Sequence, residues 1–395
     1  MLHYQMKAII LSSILLLTHL NLVSQDQWNR MSDFPGSRNR AVSFSIDGFG
    51  YIGTGATLSG LSNDLWRYNP NFDIWERASA MPTLGRRDAF CFVIDNKAYI
   101  GHGVNTRGLY DIEFWEYDAK TINWNRKQDL PFYPRLVGYN VSFSIGSYGY
   151  LKRAHNDSFG NFLKYDPNKD EWTKLASFPG TGLVDQVGFS LNGKGYIGLG
   201  FDGVSEKPNE FWEYDPNSNI WTKKGDFPGI PRTEAVSFTI GNLAYVGMGW
   251  NRDYGTLTDF WEYSSEDDSW SKISDCPYSS LYGSTFTIGN KGYFGIGLFS
   301  NGVEIWEYTP ATSSSELLNI KSDISIYPNP ATEYIHLVCE NKNIERIRLY
   351  STSGNLIKEL DPNQRRILID NLPSGLYYLI IQSKNNHFYK PIVIK

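Results

Sequence analysis

Between residues 25 and 310 the chain alternates short apolar–polar runs with turn-forming residues, at nearly constant spacing. In one unit the runs cover residues 235–240, 244–249, 259–263 and 269–273. Within the first, Val236, Phe238 and Ile240 fall on one side and Ser237 and Thr239 on the other. That period of two is the pattern of a strand with one buried face. Equivalent alternations occupy 42–46, 141–145 and 285–288. Turns such as Asp47-Gly48 and Asn192-Gly193 suit hairpins, because glycine reaches positive φ without a steric penalty. Each unit therefore predicts four antiparallel strands.

The units repeat. A tryptophan recurs at Trp28, Trp75, Trp124, Trp172, Trp221 and Trp270, with intervals of 47, 49, 48, 49 and 49 residues. A period just under fifty, four strands long, is the pattern of a propeller blade. Six units carry the first three strands, and the sixth ends at Tyr308-Thr309-Pro310 with no tryptophan strand after it. Residues 27–31, ahead of the first unit, supply the missing strand, so the ring closes and hides two sheet edges. The expected fold is all-β, a six-bladed propeller over residues 25–310.

The ends differ. Lys7 precedes an apolar run, residues 8–17, the pattern of an export signal over residues 1–24. No later stretch is long enough to span a bilayer. Residues 311–321 read as a linker. Seven short β-like runs follow within 322–395, which suggests a small seven-stranded β-sandwich. Aromatic residues make up 15% of the chain, as aromatic-rich blades require, and the formal net charge is −5. Lys and Arg are scattered, so no nucleic-acid partner is expected. Three cysteines, Cys91, Cys276 and Cys339, make no disulfide framework.

Two resemblances follow from specific strings. The Gly-Tyr-x-Gly-x-Gly turns (50–55, 195–200, 292–297), segments such as Asn63-Asp64-Leu65-Trp66-Arg67-Tyr68 and the closing Trp resemble kelch repeats, as in the central propeller of galactose oxidase. The usual glycine doublet is Gly-x-Gly here. The third unit departs further, with Lys152-Arg153-Ala154 and Leu163. The strings Ile326-Tyr327-Pro328-Asn329-Pro330, Leu372-Pro373-Ser374-Gly375-Leu376-Tyr377-Tyr378 and Lys390-Pro391-Ile392-Val393-Ile394-Lys395 resemble the C-terminal sorting domain of type IX secretion substrates. That resemblance implies export across both membranes, recognition of residues 322–395 by the secretion machinery, and a cargo released or fixed to surface glycolipid once the domain is removed.

Repeated positions are expected to be scaffold, and varying ones candidates for a site. The carboxylates Asp64, Glu113, Glu210, Asp259 and Glu304 recur and are expected to hold a loop to the backbone. Six residues before the end of each inner strand the chain varies: Arg40, Asp88, Tyr139, Asp185, Glu234 and Tyr282. Antiparallel order puts these beside the loops joining second and third strands, which add Asn105, Arg107, Trp250 and Arg252. Polar groups beside flat rings suit sugars or polar peptide segments. The leading expectation is a recognition propeller for glycan or protein. The resemblance also admits a sialic-acid mutarotase, with Glu234 as base and Arg232 as anion anchor, and an adhesion component is a third reading. No cofactor or metal is expected: the propeller has only His102 and His155, and neither Cys91 nor Cys276 has the tyrosine partner that a copper oxidase of the galactose oxidase kind needs.

Overall fold

The computed structural model describes residues 26–131, 140–153, 160–181, 184–202, 204, 209–298, 301–311, 324–339, 344–351, 356–383 and 387–395. The expected export signal and all but the first residue of the expected linker lie outside them. The chain divides after residue 311 into two compact units. Among the described residues every regular element is a strand, and no helix is long and apolar enough to cross a membrane.

Among the described residues the first unit holds six four-stranded antiparallel sheets. Their inner strands are Val42–Ile46, Phe90–Ile94, Val141–Ile145, Val187–Leu191, Val236–Ile240 and Ser284–Ile288. Each packs beside the next, and the sixth beside the first, so the ring is closed. We number the sheets as blades 1 to 6 in that order. The closing pair is Gln27–Met31 on Ile305–Thr309, with Trp28 opposite Tyr308.

The aromatic repeats explain how the blades lock. Phe286, Phe92, Phe143 and Phe238 each press on a glycine of the following blade, at positions 50, 149, 195 and 292. A Cβ on any of these glycines would lie 2.2–2.4 Å from the ring. Blades 2 and 5 fill the same position with fully buried Ala98 and Ala244. Only a small residue admits the wedge. Except at Trp172, whose indole nitrogen is buried without a partner, the recurring Trp joins its blade to the one before through its indole N–H, as in Trp124 to the Ser79 carbonyl at 2.9 Å and Trp221 to that of Ala176 at 3.0 Å. Trp28 does the same to Ser274 at 3.1 Å, so the seam copies the ordinary blade junction.

The second strand of blade 5 runs Leu243–Gly247, two residues short of the expected end. Met248 and Gly249 both take positive φ and turn the chain away from the sheet.

The second unit has a three-stranded sheet, in the order Ile324–Tyr327, Tyr334–Cys339, Arg366–Leu368. Its four-stranded partner has the order Leu356–Leu360, Ile344–Ser351, Gly375–Ser383, His387–Ile394. Ile335, Leu337 and Ile367 from the first meet Ile347, Leu379, Ile381 and Ile392 from the second in one core.

Candidate functional site

One face of the propeller is built from two sets of loops. In the five blades where it is described, the residue preceding the varying position bridges to the loop after the second strand: Asn39 to Ala56, Val184 to Phe201, Thr233 to Trp250 and Leu281 to Leu298. In blade 2 the bridge is a short ladder, Arg86–Arg87 on Val104–Asn105. Glycines 200 and 249 make this contact possible. A Cβ on either would lie 2.4 Å from the Val184 or Thr233 carbonyl, and both glycines have positive φ.

Arg40, Asp88, Asp185, Glu234 and Tyr282 all adopt left-handed backbone, with φ between 53° and 60°. Such a conformation is costly for residues with a Cβ, and for Arg, Glu and Tyr nothing in the side chain offsets it locally. The compensation is between blades. Arg40 N–H donates to the Tyr282 carbonyl at 3.1 Å, Asp88 N–H to that of Arg40 at 3.1 Å, and Glu234 N–H to that of Asp185 at 3.2 Å. In these three residues the left-handed turn aims the amide at the preceding blade.

Behind this ring stand three buried arginines, each two residues upstream: Arg38, Arg86 and Arg232. Each donates to the carbonyl of the turn residue at Thr54, His102 or Met248, at 2.8, 3.1 and 3.1 Å. Each also pairs with the recurring carboxylates. Arg232 binds Asp259 through both oxygens at 2.7 and 2.8 Å, Arg38 binds Asp64 in the same way, and Arg86 reaches Asp111 and Glu113. The indoles of Trp66, Trp115, Trp261 and Trp306 add a bond to Asp64, Glu113, Asp259 and Glu304. These four carboxylates therefore serve chiefly side chains, because a buried guanidinium needs a charged acceptor, whereas Glu210 accepts the backbone amide of Thr181 as expected. The expected anion anchor at Arg232 is corrected by the same observation. Its side chain is fully buried and committed to Asp259.

Arg40, Asp88, Asp185, Glu234 and Tyr282 line one recess of about 240 Å³ at the mouth of the central channel. The Arg40 guanidinium stacks on the Tyr282 ring at 3.6 Å. Its Nη1 reaches both oxygens of Asp88, at 3.1 and 3.3 Å, and Asp88 also takes a bond from Arg87. Asp88 is 5% exposed and held by two cations, whereas among the described residues no arginine pairs with Asp185 or Glu234. Burial, reinforced by the Glu234 carboxylate, pushes the Asp185 carboxyl up to about 7 against the pull of Arg40. Burial raises Glu234 as well, opposed by the Tyr282 hydroxyl and Arg40. Oε2 of Glu234 is buried with no partner. Burial and the facing Glu234 carboxylate raise the Tyr282 hydroxyl, which stays protonated.

Tyr139 lies outside the described residues. The four second-loop candidates are absent from the recess lining. Asn105 is buried, and its Oδ1 accepts the amides of Arg107 and Leu109, so it shapes its own turn. Arg107 and Arg252 are exposed on that loop set, and Trp250 is half-buried at the base of a hairpin. Sequence reasoning missed Asn140 and Gln186, which do line the recess. Stepping one residue past the varying position gives Ala41, Ala89, Asn140, Gln186, Ala235 and Gly283, and the two amides stand out in that row.

His102 is buried beside Asn140, with its pKa pushed down by burial to about 4, so its ring is neutral. His155 is outside the described residues. Among the described residues no group of His, Cys, Asp and Glu is arranged to hold a metal ion, and Cys91 and Cys276 are free thiols.

Comparison with known proteins adds three findings. Residues 325–395 match the family described as the secretion system C-terminal sorting domain. The chain is 27% identical over 198 residues to an N-acetylneuraminate epimerase of Escherichia coli O1:K1 / APEC, covering 46% of this chain and 48% of that protein. A Shigella boydii serotype 4 protein of the same name is also 27% identical, over 194 residues. The chain spans about half the length of the curated relatives it matches. The solved structure of YjhT superposes with a TM-score of 0.57 at 16% identity, over 70% of this chain and 96% of that one, which shows a shared fold. The chain thus joins a β-propeller with the fold of YjhT to a secretion system C-terminal sorting domain, and is a type IX secretion cargo, secreted or attached at the cell surface.

Proposed function

We propose that the propeller binds a reducing sugar in the mouth recess and interconverts its anomers, with sialic-acid-like sugars as the substrate class. The observation that carries this reading is the pair Asp185 and Glu234, two carboxyl groups from adjacent blades, both raised in pKa by burial and facing one recess. Anomer exchange needs one proton removed and one delivered. Glu234 takes the proton of the anomeric hydroxyl while Asp185, protonated near neutrality, gives its proton to the ring oxygen. The ring C–O bond breaks, a carbonyl forms, and the open chain turns and recloses from the other face with the roles exchanged. No cofactor or net proton is consumed. Arg40 pairs with an acidic substituent of the sugar. The likeness to N-acetylneuraminate epimerases supports the same class.

The test is proton-NMR exchange between anomers of N-acetylneuraminate with the full chain. Exchange should be faster than without protein and fall about a hundredfold or more in Asp185→Asn and Glu234→Gln. Exchange that survives both substitutions sinks the assignment.

A second reading is recognition of a glycan or protein without turnover. It is supported by the stacking of Arg40 on Tyr282, a flat cation–aromatic surface of the kind that holds sugar faces. Saturable binding of a glycan with no anomer exchange would favour it.

A further inference from the structure

The mouth face carries a feature the recess does not use. At the tips of the loops after the second strand stand Leu58, Leu109, Val204 and Tyr254, in blades 1, 2, 4 and 5, with 94%, 59%, 80% and 68% exposure. Single exposed apolar residues are ordinary. One at the same loop in each of four blades, on the face that holds the recess, is a crown.

Three observations connect the crown to the recess. Asp185 and Glu234 both line the recess, so an anomeric carbon must face into it to reach them. The recess lining consists of ring residues and the one or two residues after them, and none of the tips is among them. About 240 Å³ holds roughly one sugar unit, so substituents on the far side of the ring leave through the mouth toward the tips. A free monosaccharide has nothing to place there. The tips in blades 1 and 5, the blades of Arg40 and Glu234, stand on β-hairpins, Ala56–Thr57 with Gly60–Leu61 and Trp250–Asn251 with Gly255–Thr256. Those hairpins fix the tips in place.

We propose that the substrate of the recess is the reducing-terminal residue of an oligosaccharide, whose following residues lie with their apolar faces on the loop crown, Leu58 and Tyr254 foremost. The inference rests on the anomer-exchange reading. It makes the crown a specificity element, and it assigns the chain to the hemiacetal end of glycan fragments rather than to free sugars.

The experiment compares kcat/KM for anomer exchange of N-acetylneuraminate and of its 2,8-linked dimer, by NMR, with the full chain and a Leu58→Ser/Tyr254→Ser double variant. The expected dimer-to-monomer ratio is roughly ten, falling to about one in the variant, since each such contact is worth a factor of about three to ten. A ratio of one in the unaltered protein, or a ratio the variant leaves unchanged, overturns the inference while anomer exchange itself stands. Exchange of neither sugar overturns both.

Discussion

The amide of Glu234 donates to the carbonyl of Asp185 at 3.2 Å, so the two recess carboxyl groups sit on residues joined through the main chain across a blade boundary. That bond sets the main-chain spacing from which the two side chains project. The linkage has a pH consequence. Asp185 has a folded pKa raised from 3.8 to about 7, so the native state keeps a proton that the unfolded chain has released. Stability is full below the unfolded value and falls as pH rises from about 4 to 7. Asp185→Asn should remove this slope and stabilise the propeller at pH 8 by on the order of 2 to 4 kcal/mol. Denaturant midpoints from pH 4 to 8 check it, and a parallel pH slope in the variant would refute it.

Glu234 holds φ of 58°. The left-handed conformation costs an L residue roughly 1 to 2 kcal/mol, and glycine gives back roughly 0.5 to 1 through its larger entropy loss. Glu234→Gly should therefore raise stability by about 1 kcal/mol, helped by removal of a buried carboxyl, while anomer exchange disappears. A variant less stable than the parent by urea titration would show that the position is not strained.

Arg232 and Arg40 both belong to the mouth loops, but one is committed to the blade and the other lines the recess. Arg232→Met leaves the partly buried Asp259 without its cation and should cost about 3 kcal/mol. Arg40→Met leaves Asp88 with Arg87 and should cost about 1 kcal/mol or less, yet raise KM for an acidic sugar. Thermal melts and anomer-exchange kinetics on the two variants separate scaffold from site.

Trp28 packs on Phe260 and Tyr308, with centroids 5.0 and 5.1 Å away, besides its bond to Ser274. Trp28→Ala should cost about 3 to 5 kcal/mol. Limited proteolysis should then cut first near residues 26–31. Cleavage that starts elsewhere would place the weak point away from the seam.

The blade scaffold was legible because its residues obey local rules: period-two strands, small residues under the Phe wedges, and a Trp at each junction. The varying ring was found by counting back from Ile46, Ile94 and their counterparts, which the register preserves. Its backbone was not legible. Nothing local favours positive φ at Arg40 or Glu234, and the amide bonds that accompany it go to the neighbouring blade. Arg232 misled for a related reason. Two residues from Glu234 in sequence, it points into the blade, where its acceptor Asp259 lies 27 residues downstream.

The closure by Gln27–Met31 on Ile305–Thr309 joins segments about 280 residues apart. Five blade junctions form between neighbours in sequence, while the sixth needs the two ends of the propeller to meet. Long-range contacts of this kind form late and slowly. The lifetime of the assembled propeller outside the cell is then a property of one clasp, since opening it frees two strand edges and every other junction stays intact.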